Sequence, residues 1–452
     1  MKNIIPNNAL NINPQDYSLL TDLYQLTMSA CYVGEKLGDR QASFELFTRH
    51  LPSDFGYLIA MGLAQAIEYL EQLRFSWQQI EALQNTGIFN HVPEEFWQLL
   101  ESASFTGDVW AVPEGTAIFA NEPILRVEAP LWQAQIVETY LLNAINYQTL
   151  IATKAARIRD IAKKDATILE FGTRRAFSPQ GAIWAARSAL AAGFDGTSNV
   201  LAALKLGDQP RGTMAHALVM AITAISGDED DAFKAFQNYF PQASLLIDTY
   251  DTVAAAKRLR DKVNKGQMQI TGVRIDSGDL AELSKKVRSY LPDTKIFASG
   301  DLDAAAIAKL QQRGASIDGY GIGTKLVTGA PVNGVYKLVE IDNIPTMKQS
   351  SNKVTYPGRK QIFRTVVDGQ IISDRLGLHN EQPQDNERGL LELVMQGGKR
   401  LQSLATLEQI RQRTANTIAS LNNDVRQLDN PQNFTVNISD DLQALRESII
   451  NS

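Results

Sequence analysis

A single cysteine, Cys31, stands among 452 residues. No intrachain disulfide can form, a cysteine-built zinc centre is excluded, and a reducing compartment is implied. No apolar run reaches the roughly 18 residues of a membrane-spanning helix, and the opening MKNIIPNNALNINPQ has no basic stretch leading into an apolar one. It does not read as a secretory leader, so the expected location is cytoplasmic, without a membrane partner. Positive charge is also short. Lys and Arg number 44 against 50 Asp and Glu, a net charge of -6, which gives no broad basic field and argues against nucleic acid as a partner. Only four histidines occur, His50, His91, His216 and His379, and they are too scattered for the His/Asp ligand cluster of a metal-dependent hydrolase.

What is present is an ordinary globular composition, 44% hydrophobic and 21% charged, with length for two or three domains. After an Asn- and Pro-rich arm of about fifteen residues, DYSLLTDLYQLTMSACYVGEKLG has helical spacing, with Gly38 as a stop. ASFELF reads as a strand, and 105–131 as short strands punctuated by Pro and Gly. The expected first domain is therefore a β-rich one over 1–131. A long helix, WQAQIVETYLLNAINYQTLIATKAARIRDIAKK, then leads into ATILEFGTRRAF. Short apolar runs recur after it, SLLIDTYD, ITGVRIDSGD, KIFASGD and IDGYGIGT, the first three each followed by a helical stretch. Strands alternating with helices indicate βα units and a parallel sheet. The repeat of roughly 23–28 residues suits an irregular (β/α) barrel over 132–345, with an open doubly wound sheet as the rival. Beyond it, SSNKVTYPGRKQIFRTVVDGQIISDRLGL reads as antiparallel strands and two amphipathic helices follow. The 346–452 segment is expected to return its strands to the N-terminal domain, making that second domain α+β and built from both ends of the chain, and to finish in the two terminal helices.

In parallel α/β folds, ligands sit at the carboxyl ends of the strands. Here those ends carry Glu170-Phe171-Gly172-Thr173-Arg174-Arg175, Asp248-Thr249-Tyr250-Asp251, Arg274-Ile275-Asp276-Ser277-Gly278-Asp279, Ser299-Gly300-Asp301 and Gly321-Ile322-Gly323-Thr324. One such cluster would be turn and N-cap chemistry; five in series, with arginines and acids, point to a site. SGDL occurs twice, at 277–280 and 299–302. Glycine-opened helix starts offer free N–H groups to an anion, yet the adjacent aspartates repel a bare phosphate. The pair suggests a phosphate whose charge is shared with Mg²⁺, the acids serving metal or ribose hydroxyls. The Gly321–Thr324 turn lacks an acid and fits a monophosphate. His216, after a Pro-Arg-Gly turn, is placed to act as acid, base or phosphoryl acceptor, although a lone histidine there is more often structural. Phe171 and Tyr24 each stand beside polar clusters, ready either to face a flat heteroaromatic ring or simply to pack.

The strings LLTDLYQLTM, FELFTR, EFGTRRA, GFDGTSNVLA, GTMAHALVM, LLIDTYDT, GVRIDSGDL and GIGTKLVTGAPVNGVYKLVE resemble the nicotinate phosphoribosyltransferase family, in the family's order. The resemblance implies a type II phosphoribosyltransferase fold and a homodimer with shared active sites. It also implies formation of nicotinate mononucleotide and pyrophosphate from nicotinate and phosphoribosyl pyrophosphate, coupled to ATP hydrolysis through a phosphorylated histidine. His216 matches that histidine. Tyr24 matches a ring-stacking tyrosine given across the dimer, and Phe171 the opposite face. Arg274 and Thr213 match nicotinate contacts, and Thr324 a phosphoribosyl pyrophosphate contact. Arg174, Asp248, Asp276 and the Gly321–Gly323 turn fall where relatives hold phosphates, ribose and Mg²⁺. Ser198 stands where nicotinamide-using relatives carry an aspartate, which favours nicotinate. The rivals are a related enzyme for nicotinamide or quinolinate and a non-catalytic nucleotide-binding protein on the same fold.

Overall fold

The short apolar runs of the middle of the chain become the strands of one parallel sheet in the computed structural model, which describes residues 10, 12–349 and 355–451. The chain divides into two compact units. One is Ile151–Ala330 with Thr406–Ile418; the other is Met1–Leu150, Pro331–Ala405 and Ala419–Ser452. The division thus falls at 150 and 330, where the sequence suggests 131 and 345.

The Ile151–Ala330 unit holds β1 (Thr167–Glu170), β2 (Gly196–Thr197), β3 (Leu245–Leu246), β4 (Gly272–Ile275), β5 (Lys295–Ala298) and β6 (Gly319–Ile322). They hydrogen-bond in the order β2-β1-β6-β5-β4-β3, every pair parallel. Register aligns their carboxyl ends: Glu170 lies opposite Ile322 and Thr197, and Ala298 opposite Ile275. The ladder is open among the described residues. Its end strands, β2 and β3, are two residues long and not paired to each other, so hydrogen bonding does not close the suggested barrel. Strands this short are buried on both faces, Leu245, Leu246, Val273, Ile275 and Ile296 being at most 1% exposed, as helices on a parallel sheet require. Those helices start on side-chain caps. Asp251 accepts from the amides of Val253 and Ala254 (both 2.9 Å), Asp279 from Glu282 and Asp303 from Ala306.

The helix Leu407–Ala419, one of the two terminal helices expected from the sequence, belongs with the Ile151–Ala330 unit. Arg411 donates to the Phe194 carbonyl (3.2 Å) and pairs with Asp195 (3.1 Å), and Thr414 donates to the Ala191 carbonyl (3.2 Å). Ile410, Thr414 and Ile418 form its buried stripe, an i, i+4, i+8 pattern that needs an apolar surface to cover.

The other unit is a mixed α+β body made from both ends of the chain. In its seven-stranded sheet, Gln41–Phe47 pairs antiparallel with both Val335–Ile341 and Pro123–Pro130, and Asp108–Ala111 with Glu392–Gln396. A second sheet contains Lys360–Val367 and Gln370–Leu378; the start of the antiparallel run read from sequence, 350–354, lies outside the described residues, as does most of the N-terminal arm. The first helical pattern breaks into a 3₁₀ turn, Pro14–Leu19, and a helix, Leu23–Gly34. The final helix Asp440–Ile450 begins on Ser439, whose hydroxyl accepts the Leu442 amide at 3.2 Å.

Candidate active site

Asp301 stands exposed in the turn after β5, at φ +49, and the five other aspartates in the turns after β3, β4 and β5 fall into two groups. Asp251, Asp279 and Asp303 spend carboxylate oxygens on helix caps, and Asp279 also pairs with Arg313 at 2.7 Å. Asp248 and Asp276 cap nothing. Asp248 follows β3 with its side chain 2% exposed. Its Oδ2 accepts the Asp276 amide (2.9 Å) and the Ser277 hydroxyl (2.6 Å), while Oδ1 is buried with no hydrogen bond. A buried carboxylate oxygen without a donor is costly and calls for a cation or proton donor. Asp276 in turn accepts from the Ser299 hydroxyl.

His216 opens the helix His216–Ser226. Its Nε2 lies 3.8 Å from Asp248 Oδ1 and its Nδ1 3.1 Å from Thr249 Oγ1. The residues leading into it are tied down strand by strand. Thr213 donates its hydroxyl to the Ser244 carbonyl beside β3, and Arg274 on β4 donates Nη2 to the Met214 carbonyl at 2.9 Å. The segment 213–216 therefore crosses the ends of β3 and β4, bringing Thr213, His216, Asp248, Arg274 and Asp276 together. The remaining Nε of Arg274 is buried without a partner. Burial lowers the Arg274 pKa from its usual value, with Asp276 and Asp248 acting against that shift. The guanidinium carbon also stands 6.0 Å from the Phe171 ring centre, so the ring and the cation share one corner.

Glycines set the closeness of these loops. Gly300 has φ +95, and a Cβ on it would fall 2.3 Å from the Asp276 carbonyl oxygen, so the loops after β4 and β5 pack backbone to backbone. A Cβ on Gly321 would lie 2.5 Å from the Phe171 ring. Gly321 is buried within β6 and makes room for that ring. The positions nearer solvent are Gly323 and Thr324, at the start of the short helix Thr324–Val327. Arg174 is exposed, and Ser198 is half-buried with its amide on the Glu170 carbonyl at 2.9 Å. Tyr24 belongs to the other unit, 47% exposed in the first turn of its helix; partial burial and then Glu138 raise its phenol pKa.

Three contributors are not singled out by the sequence. Thr249 fixes the imidazole, and a hydroxyl directly after Asp248 is its only signal. Lys154 donates to the carbonyls of Lys325 (2.9 Å) and Thr328, closing the far end of the Thr324–Val327 helix; burial lowers its pKa. Nothing in the helical string around Lys154 announces that reach. Glu170, at the end of β1, holds the Phe171 turn from below through the Gly172 amide. Among the described residues no group of three or more His, Cys, Asp or Glu side chains is gathered as for a metal. The Asp248–Asp276 pair nevertheless suits Mg²⁺, which takes one or two protein carboxylates and completes its shell with water and substrate phosphate. No described helix is long and apolar enough to cross a membrane.

The chain matches three family models: the nicotinate phosphoribosyltransferase N-terminal domain over residues 19–146, the nicotinate phosphoribosyltransferase family over 166–354 and the corresponding C-terminal domain over 387–446. A nicotinate phosphoribosyltransferase of Mycobacterium tuberculosis is 41% identical, covering 94% of this chain and 92% of its own. That of Bacillus subtilis is 39% identical, covering 94% and 93%. The solved structure of the human nicotinic acid phosphoribosyltransferase superposes with a TM-score of 0.83 at 28% identity, over 95% of this chain and 99% of that one.

Proposed function

The chain belongs to the nicotinate phosphoribosyltransferase family, and on that premise we propose that the strand-end loops of its Ile151–Ala330 unit are the active site. The reaction itself, nicotinate plus phosphoribosyl pyrophosphate giving nicotinate mononucleotide and pyrophosphate in NAD salvage, is that of the family, which uses ATP as co-substrate. The observation that carries the assignment is the buried, unpartnered Nε of Arg274 beside the Phe171 ring. A desolvated guanidinium next to an aromatic face is what a flat ring bearing a carboxylate requires.

In this reading nicotinate lies against Phe171 with its carboxylate on Arg274, Thr213 and Ser198 lining the same end. The ring nitrogen gives its lone pair to the anomeric carbon as the bond to pyrophosphate breaks, and negative charge gathers on the departing oxygens. Arg174 answers that charge, and Gly300, Gly323 and Thr324 hold phosphate oxygens through amide and hydroxyl hydrogens, while Ser299, whose hydroxyl and amide are spent on Asp276 and the Ile275 carbonyl, shapes the phosphate loop. Mg²⁺, when bound at Asp248 and Asp276, supplies further neutralisation of the pyrophosphate.

ATP coupling is assigned to His216. Asp248 Oδ1 facing Nε2 favours the tautomer with its proton there, leaving the Nδ1 lone pair, which the Thr249 hydroxyl now meets, as the nucleophile. Attack on the γ-phosphorus forms the N–P bond and releases ADP, and Asp248 steadies the imidazolium. The enzyme is read as a cytoplasmic homodimer with Tyr24 given to the partner's ring site. Support comes from Val200, Leu201 and Leu204, which are 52 to 65% exposed on the helix directly after Ser198 and are apolar surface of the kind an interface covers.

The test of the site is a set of single substitutions assayed for mononucleotide formation from nicotinate, phosphoribosyl pyrophosphate, Mg²⁺ and ATP. Changes at Arg274 and Phe171 should move the nicotinate KM, and changes at Arg174 and Thr324 the phosphoribosyl pyrophosphate KM. The reverse pattern would refute the assignment.

A further inference from the structure

Glu170 ends β1, is fully buried, and touches none of the groups assigned to substrate above except through the backbone it holds. Its carboxylate accepts the Gly172 amide and, at 2.5 Å, the Thr197 hydroxyl of β2. Thr197 Oγ1 accepts the Asn199 amide at 2.9 Å, and Asn199 Oδ1 caps the next helix at the Ala202 amide, 3.0 Å away. The Glu170 main-chain oxygen accepts the Ser198 amide at 2.9 Å. One residue thus grips the turn that bears Phe171 and the turn that bears Ser198 by three bonds.

We propose that Glu170 is a positioning residue: its carboxylate joins the Phe171 turn to the Ser198 turn and so sets the slot that receives nicotinate. The proposal rests on the reading that Phe171 and Ser198 face that ring. The chemistry asks for an acid. Two donors, a hydroxyl and an amide, converge on the side chain, and a carboxylate accepts both while carrying no donor of its own. Burial raises the Glu170 pKa, and the Thr197 and Gly172 bonds act against it; an unpaired acid here would be a liability, so the bonds and the charge depend on each other. There is no slack to absorb their loss. A Cβ on Gly172 would lie 2.9 Å from Glu170 Oε1 and 2.3 Å from Val327 Cγ1, so the turn is already in close contact on both sides. Arg174 is less dependent on this bond, because the 172–176 turn closes on itself, with the Arg175 and Ala176 amides on the Gly172 carbonyl at 2.8 and 3.1 Å.

The experiment compares Glu170→Gln, Thr197→Val, Thr197→Ser and Phe171→Ala with the wild-type enzyme, varying nicotinate and phosphoribosyl pyrophosphate separately and recording melting temperature. Glu170→Gln and Thr197→Val should each raise the nicotinate KM about tenfold, while kcat and the phosphoribosyl pyrophosphate KM stay within about threefold. Thr197→Ser, which keeps the hydroxyl, should stay near wild type. A double variant, Glu170→Gln with Thr197→Val, should be no worse than the worse single, since both remove the same bond. Equal rises in both KM values would reveal general structural damage and overturn the proposal. So would an unchanged nicotinate KM in Thr197→Val with Phe171→Ala impaired. An unchanged nicotinate KM in Phe171→Ala would instead overturn the ring-site reading, and this proposal with it. Should Glu170→Gln fail to fold, Thr197→Val against Thr197→Ser decides the same question.

Discussion

Replacing Arg274 by glutamine should make the enzyme nearly indifferent to the carboxylate that defines its substrate. Glutamine is too short to reach the Met214 carbonyl that Arg274 Nη2 meets at 2.9 Å, but the Thr213 hydroxyl on the Ser244 carbonyl still ties the 213–216 segment. What disappears is a buried charge beside the Phe171 ring. A charge-assisted hydrogen bond to a carboxylate contributes about 1.5–3 kcal/mol, which converts to about 10- to 150-fold in kcat/KM. The loss should fall toward the upper end. Asp248 and Asp276 are the acids whose fields oppose the lowering of the Arg274 pKa; without the guanidinium, their charge meets the substrate carboxylate with nothing between. Nicotinamide, which carries no charge, should lose only a neutral hydrogen bond, about 0.5–1.5 kcal/mol. The preference for nicotinate should therefore narrow by about tenfold or more. Arg274→Lys restores the charge without the planar fork and should lie between the two. The assay is initial rates of mononucleotide formation on either ring at saturating phosphoribosyl pyrophosphate, Mg²⁺ and ATP. A nicotinate kcat/KM within about threefold of wild type, or equal losses on both rings, would refute the reasoning.

Ser198→Asp brings an acid to the carboxylate end of the ring site and should cut nicotinate kcat/KM by about tenfold; unchanged kinetics would count against Ser198 as the selecting position. His216→Ala should abolish both ATP hydrolysis and labelling by γ-phosphate while leaving slow transfer, a result that full ATP stimulation of the variant would contradict. Leu201→Glu with Leu204→Glu should yield a monomer by sedimentation together with loss of turnover, if the exposed helix is the dimer seam; an unaltered mass would remove it from that role. In the other unit, burial and then Asp374 raise the Glu122 pKa well above a carboxyl's ordinary value, against the opposing charge of Arg364. A raised acid binds its proton more tightly when folded, so stability falls as pH rises from the ordinary carboxyl range toward the folded-state pKa. Glu122→Gln should flatten the fall of the melting temperature as pH rises above the ordinary carboxyl range, and a slope equal to wild type would exclude Glu122 as its source.

Much of the fold, together with the strand-end positions proposed for the site, is legible in the chain alone, and for the fold this has a physical cause. Parallel strands buried on both faces must be short, continuous apolar runs, so SLLIDTYD and ITGVRIDSGD betray both the strand and the polar turn beyond it. Ser439 before DDLQALRESII is likewise a local cap that acts within three residues, and its hydroxyl indeed accepts the Leu442 amide. What cannot be read is whatever depends on a partner distant in sequence. The helix Leu407–Ala419 looks amphipathic in the chain, but which surface covers its stripe is decided by Asp195 and Ala191, more than two hundred residues away. The open ladder has the same origin, since strand spacing reports βα repetition and says nothing of whether two-residue end strands find each other.

The acids make the sharpest case. Asp248, Asp251, Asp276, Asp279 and Asp303 are equivalent as letters, each at the tip of a strand or the mouth of a helix. Three are helix caps, and the geometry leaves Asp248 and Asp276, the two that the resemblance also singles out, with no oxygen spent on a helix start. Turn position alone therefore places such acids within a few residues without ranking them, and the resemblance supplies the ranking. Gly321 carries two readings: a glycine in a GxGT turn invites a phosphate, and a Cβ there would lie 2.5 Å from the Phe171 ring. The absence of a side chain is in one case room for a ligand and in the other room for an aromatic ring. Gly321→Ala separates the two by which KM it moves: nicotinate if the ring is displaced, phosphoribosyl pyrophosphate if a phosphate is.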